Sequence, residues 1–145
     1  MDQKLLNLEG TKNKSKLWAN SILGVSLAYA KLQAKINKEP LYKYFYWLSE
    51  VNGQFVLPTP LVNIINGGKH ADSGLAIQEF MIIPKDFSSF EEKIRACSEV
   101  FHQLKKNLIK DGHNVWVGDE WGFAPNLKNT REAFDYILQA INDCG

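Results

Sequence analysis

The stretch LVNIINGGKHADSGLAIQEFMIIP, residues 61–84, decides the fold class. Its first apolar run, residues 61–66, has the length of a strand and ends at a Gly-Gly pair. Its second run, residues 77–83, ends at a proline. Short apolar runs bounded by glycine and proline are typical of strands, so this stretch predicts two strands joined by a glycine-rich loop.

The second of these strands places two polar side chains on opposite faces. Because successive strand residues alternate, Glu79 should share a face with Met81, while Gln78 should lie opposite, with Phe80. Burying a carboxylate among apolar neighbours is costly unless it is paired or functional, which makes Glu79 a candidate for chemistry. The alternative is an edge strand with one solvated face.

Helices are expected on both sides of the strands. Apolar residues with the 4, 3, 4, 3, 4 spacing of one helical face predict helices over residues 13–37 and 89–110. The first helix should turn its stripe to the core and begin at Asn13 or Ser15, and the second should begin at a serine capping box. A third helix, residues 130–143, is expected to bury Ala133, Phe134, Ile137, Leu138 and Ile141.

Two further segments are harder to assign. Residues 41–56 are rich in aromatic side chains, and without a basic groove they are expected to be a buried linker rather than a platform for stacking bases. The Asn-Gly turn within them and the prolines that follow place a domain boundary near residues 50–57. Residues 115–117 are a short possible strand.

The composition excludes several classes of protein. The chain has 145 residues, 45% of them hydrophobic and 23% charged, which is ordinary for a globular protein. A formal charge of +1 gives no electrostatic footprint for nucleic acid or an anionic membrane. No apolar run approaches the ~18–20 residues of a membrane helix, and no signal peptide is evident. Cys97 and Cys144 form no CxxC pair and are expected to be free thiols in a reducing cytoplasm.

Polar residues that packing does not demand occur at three places. Gly67 and Gly68 precede Lys69 and His70, and paired glycines let a backbone approach a ligand closely. Gln78-Glu79 lies on the second strand, and Asp119-Glu120 lies in a glycine-flanked loop. Together they indicate acid–base or Mg²⁺-assisted chemistry, although His70 with Asp72 falls far short of a specific metal signature.

Read in order, the motifs of the chain resemble those of the enolase family. They cover nearly the whole chain: NKSKL at residues 13–17, ANSILGVSLA at 19–28, LPTP at 57–60, NIINGGKHA at 63–71, IQEFMI at 77–82, EVFHQLK at 99–105, GDE at 118–120 and GFAPNL at 122–127. So many long motifs in the right order are far more specific than any one of them alone.

The resemblance implies an α/β fold with two parts. Residues 1–52 resemble the helical end of the family's α+β N-terminal domain, and residues 57–145 resemble the first part of its β/α barrel. Because a complete (β/α)₈ barrel takes roughly 250 residues, this barrel is expected to be incomplete.

The resemblance also implies an activity and a set of site residues. The family converts 2-phosphoglycerate to phosphoenolpyruvate in glycolysis, with a lysine base and Mg²⁺ stabilising the enediolate. By its motifs, Glu120 takes the place of the proton donor and Glu79 that of a second carboxylate at the leaving group. Gln78 lies beside the substrate, and His70 matches a mobile-loop histidine that closes over it.

The remaining parts of such a site are expected outside this chain. The lysine and the Mg²⁺ ligands would lie downstream of Gly145, so no metal ligand is assigned here, and the isolated chain is expected to be inactive. The protein is expected to be cytoplasmic and to have no nucleic-acid partner. The whole family protein from which this segment would come is expected to be a homodimer.

The chain departs from the family pattern at two tryptophans. Trp121 follows Glu120 where the family has glycine, and Trp18 precedes Ala19 where the family again has glycine. A bulky residue there could block the site or be forced to a positive φ.

Two alternatives stay open. The chain could be a catalytically inactive enolase fragment that acts as an interaction or structural piece, since open barrel edges invite pairing. It could also be an unrelated phosphate-binding module built on residues 67–70.

Overall fold

The computed structural model describes residues 1–49, 51–68, 74–118 and 120–145 of the chain. The elements follow in the order α1 (Asp2–Glu9), α2 (Ala19–Ile36), α3 (Leu41–Leu48), β1 (Val62–Asn66), β2 (Glu79–Ile82), α4 (Phe90–Lys110) and α5 (Thr130–Cys144). They form two compact units, Met1–Phe55 and Val56–Gly145, which are described separately. Within the described ranges, no helix is both long enough and apolar enough to cross a membrane.

A buried carboxylate organises the start of the first unit. Glu9, at the end of α1, accepts hydrogen bonds from the hydroxyl of Thr11 and from the backbone N–H groups of Lys16 and Leu17. Burial by itself raises the pKa of Glu9, but these hydrogen bonds outweigh it and hold the pKa below its ordinary value. The carboxylate therefore ties down the segment between α1 and α2.

The prediction for the first long helix is wrong about where the helix begins and about which of its faces is buried. Helix α2 begins at Ala19 rather than near Asn13, after Trp18 at its N-cap. Its buried residues are Ala30 and Ala34, whereas the predicted core stripe is largely exposed, Leu32 among it. Helical periodicity identified the apolar face, but the other helices of this unit cover it only in part, so Ile22 and Tyr29 are half-buried and the rest is exposed.

The expected buried linker at residues 41–56 is also wrong. Its first half forms helix α3, and none of the residues of α3 is fully buried. The aromatic rings pack on one another instead: the Tyr46 and Phe55 rings lie 4.7 Å apart, and the Tyr46 hydroxyl donates to Gly53 O at 3.0 Å. Eight consecutive residues without proline or glycine, directly after Pro40, suit a short helix.

The second unit contains the two predicted strands as an antiparallel pair. Strand β1 pairs with β2 so that Asn66 lies opposite Glu79 and Val62 opposite Ile82, with a bulge between Asn63 and Ile65. As predicted, Glu79 and Phe80 lie on different faces: Phe80 is buried, while Met81, on the face of Glu79, is exposed.

The described residues form an open sheet and no closed barrel, in agreement with an incomplete barrel. The possible strand at residues 115–117 is not a strand, since only Val117 forms an isolated bridge, with Phe123. A second isolated bridge joins Phe123 to Ile65 of β1.

Helices α4 and α5 pack together and complete the core of this unit. Helix α4 begins with the predicted capping box, formed by Ser89 and Glu92, and ends at Asp111 before Gly112. Cys97 is buried on its apolar face, as expected. Leu104 and Leu108 are fully buried in the cluster that also contains residues of β1 and α5.

The predicted inner face of α5 is only half right. Ala133 and Ile137 are buried, but Phe134, Leu138 and Ile141 are exposed. The helix is rotated so that Tyr136 and Ala140 join the first two residues in the core. Spacings of three and four residues generate both stripes, and packing against α4 selects between them.

Candidate functional site

Strand β1 brings the two candidate acids to its two edges. On one edge, Glu79 of β2 is the register partner of Asn66. On the other edge, the loop of residues 118–123 contains Glu120 and adds Phe123 to β1 through a parallel bridge with Ile65. Neighbouring strands lie about 4.8 Å apart. The backbones of β2 and of the Phe123 segment, which lie on opposite sides of β1, are therefore about 10 Å from each other.

Backbone hydrogen bonds close the 118–123 loop and fix it to β1. Gly118 N donates to Gly122 O at 2.8 Å, and Trp121 N donates to Gly118 O at 3.0 Å. Phe123 N then donates to Ile64 O at 3.0 Å, and Asn66 N donates to Phe123 O at 2.8 Å. Gly118, Trp121 and Gly122 are therefore held close together, and Phe123 is anchored to β1.

Two asparagine side chains of β1 hold the loop at its centre. The amide of Asn63 donates to Glu120 O at 3.2 Å and also to the side-chain oxygen of Asn66. The amide of Asn66, which is fully buried, donates to Gly122 O at 3.2 Å. The carbonyl groups on both sides of Trp121 are thus bound by one strand.

Close backbone contact requires glycine at two positions of this site. A Cβ on Gly67 would lie 2.2 Å from Ile77 O, and one on Gly122 would lie 2.7 Å from the side-chain oxygen of Asn66. Real Cβ atoms do not tolerate such distances from a backbone or a fully buried side chain. Gly67 N donates to Gln78 O at 2.7 Å, so the first contact also fixes the start of β2 beside the candidate site.

Trp121 adopts a positive φ, which is one of the two outcomes expected for a bulky residue at this position. Its φ is 72°, and its side chain is 81% exposed. The indole lines an open groove of about 310 Å³ with Val62 and Asn63 of β1 and Phe101 of α4. It therefore lies along the helix-covered side of the strand.

A second cavity, of about 350 Å³, lies between β2, α4 and α5. It is lined by Ile83, Arg95, Cys97 and Cys144 among others, and neither it nor the Trp121 groove is lined by Gln78, Glu79 or Glu120. Neither cavity is therefore the candidate site, and one carboxylate oxygen of Glu120 is itself buried.

The cysteines do not resemble nucleophiles. Burial raises the pKa of the Cys97 thiol. Burial, followed by the nearby carboxylates of Glu99 and Asp143, raises the pKa of Cys144. Both thiols therefore stay protonated at neutral pH, and the thiolate is the reactive form.

A metal centre is not formed by the part of the chain that the structure describes. No group of three or more His, Cys, Asp or Glu side chains lies together there. Mg²⁺ needs several oxygen ligands in octahedral geometry, so these residues do not fit it as a resident ion.

The structure describes three of the four predicted site residues and places them on the two sides of β1. Gln78 is exposed at the start of β2, Glu79 is half-buried on it, and Glu120 is half-buried in the 118–123 loop. His70 lies outside the described residues, as does Asp119. Sequence reasoning missed the roles of Asn63 and Asn66, although two amides within a short apolar strand are a signal, since buried amides need hydrogen-bond partners.

Comparison with known proteins identifies similar sequences over both units. A family model described as "Enolase, C-terminal TIM barrel domain" matches residues 54–145, and one described as "Enolase, N-terminal domain" matches residues 1–45. An enolase from a Nitratiruptor species is 51% identical over all 145 residues. The chain spans 34% of the length of that relative.

Proposed function

The chain belongs to the enolase family, and from this premise we propose that it supplies part of a site that dehydrates 2-phosphoglycerate to phosphoenolpyruvate. Because it spans about a third of its relative, the rest of the site would come from further family sequence. We assign residues 1–52 to the N-terminal domain and 57–145 to the first part of the barrel. The family matches at 1–45 and 54–145, and the units Met1–Phe55 and Val56–Gly145, support this assignment.

The reaction is an elimination of water in two steps. A base removes the proton on the carbon next to the carboxylate, and the electron pair of the broken C–H bond moves into the carboxylate as an enediolate. The bond from the next carbon to its hydroxyl group then breaks, the C=C bond forms, and the hydroxide takes a proton to leave as water. The base would be a lysine beyond this chain.

We assign the second step to the two acids beside β1. Glu120 would donate the proton to the departing hydroxide, and Glu79 would assist at the same leaving group. Gln78, which is adjacent to Glu79 and exposed, would contact the substrate, and His70 would close over it. The observation that supports this assignment is the attachment of both acids to strand β1, Glu79 through its register with Asn66 and Glu120 through the hydrogen bond from Asn63 to its carbonyl oxygen.

The cofactor and the assembly are part of the same proposal. Mg²⁺ would be held by carboxylates outside this chain, and when bound it would stabilise the negative charge of the enediolate. The described residues do not form that site, so none of the roles above depends on a metal ligand here. The whole protein would be a cytoplasmic homodimer without nucleic-acid partners.

The test is a graft in which this chain replaces the 145 aligned residues of the Nitratiruptor enolase. We expect the graft to form phosphoenolpyruvate in the presence of Mg²⁺, measured by absorbance. Glu120→Gln removes the proton donor and should lower kcat by about 10²- to 10⁴-fold, the usual contribution of a general acid. Glu79→Gln should lower kcat as well.

Glu99→Gln is the matched control for these variants. Glu99 is an exposed carboxylate of α4 that pairs with Arg95, and such surface pairs contribute little. An active graft that keeps full activity after Glu120→Gln would contradict the assignment of the proton donor. A folded but inactive graft would instead favour a catalytically inactive piece with a structural or interaction role, for which the exposed apolar face of α2 is the supporting observation.

A further inference from the structure

We propose that Asn63 is a positioning residue for Glu120, which it acts on through the backbone of the 118–123 loop. The inference rests on the proposed function, because it concerns how the proton donor is aimed. Asn63 donates a hydrogen bond of 3.2 Å to the loop, and its acceptor is the carbonyl oxygen of Glu120. That carbonyl belongs to the same residue as the candidate acid, so fixing it fixes the direction in which the side chain leaves the backbone.

The orientation of the Asn63 amide is determined by its neighbours. Its Nδ2 group donates both to Glu120 O and to the side-chain oxygen of Asn66. Asn66 is fully buried and donates its own amide to Gly122 O, so it cannot turn without losing a hydrogen bond. Strand β1, Asn66 and Asn63 therefore form a rigid support under residues 120–122.

Stability of the strand does not by itself account for an asparagine here. The Oδ1 atom of Asn63 is buried and has no hydrogen-bond partner among the described residues. An unpaired buried acceptor is unfavourable, and an apolar residue would suit the strand without this cost. The advantage of asparagine at this position is the pair of hydrogen bonds that its amide donates, one to the loop and one to the Asn66 side chain that supports the loop.

The experiment is a double-mutant cycle in the graft defined above. Asn63→Asp keeps the shape of the side chain but replaces the donor with a carboxylate oxygen, which repels Glu120 O. We expect kcat to fall about 10- to 100-fold, as for a misplaced catalytic group, with KM changed less than about threefold. In the Glu120→Gln background the same substitution should have almost no further effect on kcat, because the group that it positions is gone.

Two comparisons keep the test decisive. Asn126→Asp adds a charge at an exposed loop position and should leave kcat unchanged. If Asn63→Asp does not fold, the same cycle can be made with Asn63→Ser and Asn63→Ala. Serine retains a hydrogen-bond donor and alanine does not, so Asn63→Ser should retain more activity. If Asn63→Asp lowers kcat equally in the unsubstituted graft and in the Glu120→Gln graft, the inference is overturned and the proposed function stays intact. If the unsubstituted graft is inactive, the proposed function is overturned.

Trp18 and Trp121 carry a second inference that is independent of the first. Trp18 has φ 69° and ψ 140°, and Trp121 has φ 72°. Glycine populates positive φ freely, whereas a bulky side chain there is a true outlier. Neither indole gains much burial in return, since the two are 72% and 81% exposed.

We infer that residues 18 and 121 are glycine in the protein as its source cell makes it. The route would be a codon that one genetic code reads as tryptophan and another as glycine. Such a codon would act at each tryptophan that it encodes, and Trp47 and Trp116 are also largely exposed, although tryptophan is usually well buried. Glycine at 121 would also leave Glu120 without a bulky neighbour.

Tandem mass spectrometry of the protein purified from its source cells tests this inference directly. We expect peptides with glycine at positions 18 and 121, and less indole absorbance than four tryptophans would give. Peptides with tryptophan at 18 and 121 would overturn it. In the chain produced with tryptophan, Trp121→Gly should raise the urea midpoint of unfolding. Trp116→Gly is the control, because residue 116 does not have a positive φ, and it should not raise the midpoint. A lower midpoint for Trp121→Gly would also count against the inference.

Discussion

The phenol of Tyr136, on α5, donates a hydrogen bond of 2.8 Å to Oδ2 of Asp111, the residue that ends α4. Burial, and then this hydrogen bond and the negative charge of Asp111, raise the pKa of Tyr136 to about 12. The phenol therefore stays protonated in the folded chain at pH values where it would ionise in the unfolded chain.

This difference predicts a loss of stability in alkali. The pKa is raised on folding, so its contribution is complete below pH 10.0 and is lost as the pH rises to about 12. Tyr136→Phe should cost about 1 kcal/mol at pH 8, the value of one hydrogen bond, and should reduce the further loss between pH 8 and pH 11. Urea unfolding at both pH values measures this, and an identical alkaline loss in both proteins would show that other groups cause it.

Single residues also show which parts of the candidate site could be predicted from the sequence. The alternation of the second strand correctly separated Glu79 from Phe80, because that alternation is a property of the backbone alone. The functions of Asn63 and Asn66 could not be foreseen, because their partners are carbonyl groups 57 and 56 residues further along the chain. Such contacts exist only after the loop has folded onto β1.

At the scale of elements, the α4–α5 pair shows which side chains hold the second unit together. Leu104 is fully buried, whereas Leu138, which the periodicity of α5 placed in the core, is 56% exposed. The α5 sequence allows two overlapping apolar stripes, and contact with α4 buries only the one that contains Ala133 and Ala140. Small residues on that stripe let the helices approach closely.

A matched pair of leucine substitutions tests this orientation. Leu104→Ala should destabilise the chain by about 2–5 kcal/mol, because it removes buried methyl groups and leaves a cavity. Leu138→Ala should change the free energy of unfolding by less than about 0.5 kcal/mol, as expected at an exposed position. Chemical denaturation followed by circular dichroism gives both values, and a comparable cost for the two substitutions would mean that α5 is rotated differently.

At the scale of the whole molecule, the two units differ in how much they bury. The buried residues of α1, α2 and α3 are Glu9, Ala30 and Ala34, and the large apolar side chains of these helices are mostly exposed or half-buried. The core cluster of Ile64, Leu104, Phe123 and their neighbours lies within the second unit. Tertiary burial supplies most helix stability, so the first unit should be the weaker one.

Hydrogen exchange of the 145-residue chain measures this difference. Amides of Val62–Asn66 and Phe90–Lys110 should exchange most slowly, and those of Asp2–Glu9 and Leu41–Leu48 should exchange fastest, because local opening is easiest where few apolar contacts are lost. Protection of α1 and α3 equal to that of α4 would contradict the prediction. It would indicate burial that the described contacts do not supply.

The sequence by itself determined the strands, the long helices, the capping box of α4 and membership of the enolase family, because periodicity, caps and motifs are local properties of the chain. Only the tertiary structure decided the start of α2, the helical state of residues 41–48 and the buried face of α5. It also decided how Asn63, Asn66 and Gly122 hold Glu120 next to the strand that pairs with Glu79. These features depend on which surfaces meet, and side chains far apart in sequence contact one another only when the chain packs.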